Sequence, residues 1–255
     1  MPGVWSLEGS GSLPLSDVSA KVEAVPGGLM PQVKRVLTLP ALGDGSIYAR
    51  ARVEPRLVTL QLQSQRRGVK DGALRSALLP YCRPEAGLIA IQYVGLNGTL
   101  QLSMYYLDGL DDLAPRFIAP DPRWVGALSA GSALPGTAMS IGTAATEPTI
   151  TIVASSAVTV TQIALENAGF TDLAFRLNLS LSLAAGQSAV FIIAARTATR
   201  YTGGASLLSV IQPGSDFANF LIYPGANVLT ITKTGTLTAT LQYNERYWSW
   251  EDIDQ

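Results

Sequence analysis

Between Tyr48 and Gln65 the apolar residues Val58, Leu60 and Leu62 alternate with the polar residues Thr59, Gln61 and Gln63. A period of two sends one set to a buried face and the other to a wet one, so this stretch is predicted to be extended. It breaks at Arg66-Arg67-Gly68. From Lys70 to Cys82 the period changes. Leu74, Ala77 and Leu78 stand at i, i+3 and i+4, one apolar stripe on a short helix that Pro80 and Pro84 bring to an end. Gly87–Val94 and Thr99–Leu107 read as the two arms of a hairpin, because Gly95-Leu96-Asn97-Gly98 places an Asn-Gly pair between them.

The flanks of this pattern are weaker. Residues 1–28 are rich in Gly, Ser and Pro, and only Val18, Ala20, Val22 and Ala24 suggest a short strand. Val33–Leu39 is a second apolar stretch, followed by a loop around Gly43-Asp44-Gly45. Asp108–Arg123 carries Pro115, Pro120 and Pro122 with few paired apolar positions and reads as a linker or a crossing between domains. Beyond Trp124 the predicted elements are strands: Thr149–Val153, Val158–Leu165, Leu173–Leu183, Ala189–Ala195, Phe217–Tyr223, Val228–Thr232 and Thr236–Tyr243. Turns at Asn167-Ala168-Gly169, Ala185-Gly186-Gln187, Pro224–Asn227 and Lys233-Thr234-Gly235 punctuate them. Many short strands at even spacing point to a sandwich. The chain thus divides into a first β domain over residues 1–123 and a second over 124–255, with the final strand or tail able to pack back on the first.

Composition narrows the function. Apolar residues make up 47% of the 255 and charged residues 15%, so there is material for two cores and little charge to keep a lone subunit solvated. Eighteen basic and 19 acidic residues nearly cancel, so no global field draws nucleic acid or an anionic membrane. Met1–Pro14 lacks the features of a signal peptide, and no apolar run is long enough for a helical membrane span. Cytoplasmic synthesis and assembly fit this pattern.

Candidate chemistry is sparse. There is no histidine, which excludes a His-based triad or zinc site. The single cysteine, Cys82, reads as a packed core residue. Asp108, Asp111 and Asp112 lack the alternating oxygen ligands of a calcium loop and read as a solvated turn. Arg66, Arg67, Lys70 and Arg75 form a basic patch that either touches phosphate or, better, is a solvated face or pairs with a neighbour's acids. Tyr247, Trp248 and Trp250 either stack on sugars or a partner, or tuck into a core. No catalytic residue, cofactor site or metal site is expected. An enzyme such as a glycosidase would need a carboxylate pair across a cleft, and the scattered Glu147, Glu166, Asp172 and Asp216 do not suggest one.

Three stretches carry a family resemblance. Leu39–Gln63 (LPALGDGSIYARARVEPRLVTLQLQ) has a Gly-x-Gly loop before a long strand. Leu74–Leu110 holds a short helix ending in Leu-x-Pro, a hairpin and an Asp-Gly-Leu exit. Phe217–Trp250 has a Pro-Gly-x-Asn turn, a strand and a closing Tyr-x-x-Arg-Tyr. In this order and spacing they resemble the distal tail (baseplate hub) proteins of siphophages. No one of these motifs is specific alone, and residues 125–200 match only in being β-rich.

The resemblance implies a mainly β fold with two β-sandwich domains, the first with a short helix and a hairpin, the second galectin-like. It implies a structural virion protein of the phage tail, assembled in the host cytoplasm. Such proteins form a homohexameric ring that joins the tail tube to the tail tip and leaves a channel for DNA. The implied partners are copies of the chain, the tail tube protein, the tail-tip hub or tape-measure end, and receptor-binding proteins. Candidates for the ring contact are Arg66, Arg67, Lys70, Leu74, Leu78, Ile91, Tyr93, Leu102 and Tyr105, on the helix and hairpin. Tyr247, Trp248 and Trp250 are candidates for contact with a glycan or partner. The alternative reading is a carbohydrate-binding or receptor-binding minor tail module.

Overall fold

The computed structural model describes residues 4–9, 11–16, 20–24, 33–38, 47–64, 71–201 and 204–254. The fold is mainly β, with one α-helix among the described residues. The chain forms two compact units. One comprises Met1–Gly126 together with Tyr247–Gln255, and the other comprises Ala127–Arg246.

The main sheet of the first unit is antiparallel. Its strands run in the spatial order Ser12–Pro14, Val4–Glu8, Leu88–Val94, Thr99–Asp108, Arg116–Ala119 and Arg56–Thr59. At its centre lies the expected hairpin. Val94 pairs with Thr99, and the turn closes with the Gly95 N–H donating to the Gly98 carbonyl at 2.9 Å. Gly98 has φ 148°, in the region that favours glycine. Alternation along Thr99–Asp108 buries Leu100, Leu102 and Met104 completely. The long extended segment breaks into Ile47–Val53, Arg56–Thr59 and Gln61–Ser64, with Pro55 at the first break. Ile47–Val53 pairs with Val33–Thr38, and Gln61–Ser64 with Ala20–Ala24.

The helix, Asp71–Leu78 among the described residues, ends earlier than the predicted Cys82. Pro80 lacks the N–H a further turn would need. The chain instead closes tightly, with the N–H groups of Tyr81 and Cys82 both reaching the Leu78 carbonyl at 3.0 Å. Leu74 and Leu78 face inward and are buried.

Two sequence expectations need correction here. Residues 108–123 are not simply a linker. Within them Arg116–Ala119 is a strand inside the main sheet, paired with Thr99–Asp108 on one side and Arg56–Thr59 on the other. Pro115 and Pro120 flank the strand without interrupting its ladder, and Phe117 and Ala119 are fully buried. Val4–Glu8, which the weak N-terminal pattern did not reveal, pairs along its whole length with Leu88–Val94. Leu7 is fully buried there. Trp124, placed by the sequence at the opening of the second domain, lies in the core of the first unit with no exposed surface.

The second unit has two sheets around one core. The five-stranded sheet runs Ser132–Leu134, Leu237–Gln242, Thr149–Ala154, Ser188–Ile192, Thr197–Thr199. The four-stranded sheet runs Gly136–Ser140, Gly225–Thr234, Val158–Asn167, Phe170–Leu183. Ile150, Ile152 and Phe191 from the first meet Ile163, Leu165, Leu177 and Leu229 from the second in a single buried cluster. Phe217–Tyr223 does not form the predicted strand. It contains a short 3-10 turn, Phe217–Asn219, and then buries Phe220 and Ile222 singly. Ile222 is tied to Thr146 by a pair of backbone hydrogen bonds at 2.9 Å.

Two buried polar clusters lock the loops of this unit. The Asn227 side chain accepts from the Tyr223 N–H at 3.1 Å and donates to the Tyr223 carbonyl at 2.7 Å, closing the Pro224–Asn227 turn. Asn167 donates to the Asn227 amide oxygen at 3.1 Å. The Glu245 carboxylate accepts from the Ser140 hydroxyl at 2.6 Å and the Gly142 N–H at 2.9 Å. Beside it, the Tyr243 hydroxyl donates to the Met139 carbonyl at 2.8 Å. Burial, with Glu245 adding to it, pushes the Tyr243 hydroxyl up to about 12.

Candidate assembly surface

Strand alternation in the first unit sends one set of side chains inward and the other to the outer face of the main sheet. A polar outer face would be ordinary for an antiparallel sheet. Here one row across it is apolar. Leu88 lies opposite Tyr105, Tyr105 opposite Ile118, and Ile118 opposite Leu57, so four neighbouring strands each contribute one residue. Leu88 is 54% exposed, Tyr105 43% and Leu57 62%. Directly opposed side chains sit about 5 Å apart at Cβ, so the row is continuous. Leu107, on the same face, is also exposed.

A second apolar patch occupies the other end of the same face. Val4 pairs with Val94, and both are exposed. Leu96 at the hairpin tip is 71% exposed. Between the patches the face carries Ser6, Gln92, Gln101 and Ser103. Leu88 and Val94 are six residues apart on one strand, about 20 Å.

The predicted ring-contact residues separate into three groups. Tyr105 lies on the outer face. Leu74, Leu78, Ile91, Tyr93 and Leu102 are in the core of the first unit, none more than 3% exposed. That corrects the expectation that they form a contact face. They carry the strong apolar periodicity because they pack the unit's own interior, and their outward neighbours are the ones that present surface. Arg66, Arg67 and Lys70 lie outside the described residues. The remaining member of the basic patch, Arg75, donates through its guanidinium to the Asp111 carbonyl.

The C-terminal aromatics also divide. Tyr247 is buried in the first unit's core. Trp250 packs against that core with edge contacts to Trp5 and Tyr93 at centroid distances of 5.4 and 4.8 Å. Trp248 lies between two buried residues, Tyr247 and Ser249, and lines a cleft with Val53, Pro120, Asp121, Pro122 and Arg123.

Titratable groups are placed structurally. Asp108 and Arg116 form an exposed bidentate ion pair between adjacent strands. The Arg116 hydrogen bonds hold the Asp108 carboxyl below the usual carboxylate range. Arg56 is buried, and burial lowers its guanidinium to about 10 against the pull of Asp121 and Asp252. Burial also raises the Cys82 thiol to about 12, so it stays protonated at neutral pH. No cluster of three or more metal-ligating side chains occurs among the described residues.

Residues 141–247 match the family model described as "Siphovirus-type tail component, C-terminal domain". The match spans nearly all of the second unit. What the match supports is a structural component of the phage tail, located in the virion, rather than an enzyme. Among solved structures, this tail component shares its fold with the Dit protein of phage SPP1, whose crystal structure is described as a paradigm of the hub adsorption apparatus in phages infecting Gram-positive bacteria. The TM-score is 0.68 at 16% identity, covering 95% of this chain and 99% of that one. A chain of the phage P2 baseplate, in its activated conformation with calcium, aligns with a TM-score of 0.41 at 7% identity over 95% of this chain and 98% of that one. No curated protein matches the tail component.

Proposed function

We propose that this tail component is a distal tail hub protein, whose copies close into a ring joining the tail tube to the tail tip. The ring leaves a channel through which DNA passes. The observation that carries the reading is the apolar row Leu88–Tyr105–Ile118–Leu57 across the outer face of the first unit. Leaving such a row in water is unfavourable, and a large exposed apolar patch on a soluble chain marks an interaction site.

A closed ring needs two unlike patches on each subunit, because every copy touches one neighbour with one surface and the next with another. The row at Leu88 and the patch at Val4, Val94 and Leu96 are two such surfaces, about 20 Å apart. Low charge acts in the same direction, since few ionic groups must be desolvated when copies associate. Six copies is the number that the family resemblance implies. The hub role of the similar SPP1 protein supports the placement at the tube-to-tip junction.

Mass photometry of the purified chain tests the reading. Particles with the mass of six chains, present at low micromolar concentration and resistant to raised salt, are expected. A single monomeric species under these conditions would sink it. Imaging of the particle then locates the ring, with density for this chain at the junction of tube and tip as the expected result.

A further inference from the structure

The cleft lined by Trp248 brings an aromatic residue together with a carboxylate and a guanidinium. Its volume is about 560 Å³, and all its lining residues belong to the first unit. Cleft volumes of about 300–1,000 Å³ suit small ligands, and this one holds a single aromatic ring beside a carboxylate and a guanidinium. We propose that it binds one ring of a neutral saccharide, stacked on the Trp248 indole and hydrogen-bonded by Asp121 and Arg123.

Every part of the cleft is held in place from behind. Trp248 is fixed by its backbone, whose carbonyl accepts from Nη2 of the buried Arg56 at 2.5 Å. Its neighbours Tyr247 and Ser249 are buried, while Trp248 itself is among the residues that line the cleft. Asp121 stands between two prolines, which fix φ on either side and offer no backbone donor to compete for the carboxylate. That carboxylate accepts from the Arg123 N–H at 3.1 Å, from Nε at 2.9 Å and from Nη2 at 3.1 Å. Geometry set before the ligand arrives lowers the ordering cost of binding.

The ligand class follows from these groups. An indole face takes up a flat apolar surface with polar edges, and a sugar ring presents one in its axial C–H groups. A carboxylate beside a guanidinium presents acceptors and donors side by side, which matches two adjacent hydroxyls of a hexose. Because the Asp121–Arg123 pair is neutral overall, it has no surplus positive charge to select an anionic group. A neutral hexose or N-acetylhexosamine therefore fits better than a uronic or sialic acid. The inference goes beyond the hub reading and stands whether or not the chain closes into a ring.

Saturation-transfer NMR on the full chain tests it, with glucose, galactose, N-acetylglucosamine and glucuronic acid at millimolar concentration and a polyproline peptide as a competing class of ligand. Transfer to the ring protons of at least one neutral sugar is expected. Trp248→Ala should weaken that sugar about tenfold, and Trp248→Phe should keep it within about threefold. Asp121→Asn should weaken it without abolishing stacking. Unfolding temperatures check that each variant folds; if Trp248→Ala does not, the Trp248→Phe and Asp121→Asn arms decide. Absence of transfer from every neutral sugar, unchanged affinity in Trp248→Ala or in Asp121→Asn, a preference for glucuronic acid, or binding of the peptide alone would overturn the proposal.

Discussion

Glu245 shows what single residues contribute. It is a buried carboxylate in a charge-poor unit, and it is tolerated because the Ser140 hydroxyl and the Ile141 and Gly142 N–H groups all donate to it. Glu245→Ala would leave the hydroxyl and at least the Gly142 N–H buried without their acceptor. The expected loss is roughly 1–3 kcal/mol, read from urea unfolding. Tyr243 beside it makes a pH prediction. Its folded hydroxyl is raised from the ordinary 10 to about 12, so the native state holds its proton more tightly than the unfolded chain. That contribution is fully present below pH 10 and is lost as pH rises toward 12. Urea midpoints should fall across that window, and Tyr243→Phe should flatten the fall. The sequence showed Tyr243 only as the first residue of the closing Tyr-x-x-Arg-Tyr and did not single out Glu245; only the arrival of residues 139–142 from a distant part of the chain gives them these partners.

At the scale of elements, the hairpin, the short helix and most strands of the second unit were readable because their signals are local. A turn pair between two alternating runs, or prolines after an i, i+3, i+4 stripe, acts through neighbours in sequence. Arg116–Ala119 and Val4–Glu8 were not readable, because each is short and owes its pairing to strands far away in the chain. Phe117→Ala tests the first. It removes a fully buried ring from between two neighbouring strands, and a loss of about 3–5 kcal/mol in urea unfolding is expected. The C-terminal segment behaves likewise. Tyr247 and Ile253 are buried in the first unit, and Trp250 packs on Trp5 and Tyr93. Deleting residues 247–255 should therefore lower the unfolding temperature of the first unit by many degrees, seen in calorimetry as a shift of its transition. The last residues read equally well as a binding surface or a core plug, since an aromatic run has the same pattern in both roles. Tyr247 lies in the core, Trp250 packs against it, and Trp248 is among the residues lining a cleft.

At the scale of the whole molecule, the question is which surface meets other copies. Apolar periodicity drew attention to Ile91, Tyr93 and Leu102, yet those residues fill the unit's own interior. The exposed apolar row proposed as the contact lies on the opposite face of the same sheet, at Leu88, Tyr105, Ile118 and Leu57. Leu57→Asp combined with Leu88→Asp should abolish association in mass photometry, because a charge on each of two exposed positions makes desolvation of the row prohibitive. Since both side chains are more than half exposed, the unfolding temperature should change by only a few degrees. Loss of folding together with loss of association would instead assign the row to the monomer's own stability.

The amino-acid sequence alone determined that the chain is mainly β, that it lacks histidine-based chemistry, and that it is poor in charge. Its ordered turns and strands also carried the resemblance to siphophage tail proteins. These follow from composition and near-neighbour periodicity, which the backbone obeys locally. Tertiary structure decided which side of each strand became interior, where the strands of residues 4–8 and 116–119 found partners, and that the chain's last residues return to the first unit. Those outcomes depend on contacts between residues far apart in the chain. A period of two distinguishes two faces of a strand, but only the packed neighbours say which face stays in water.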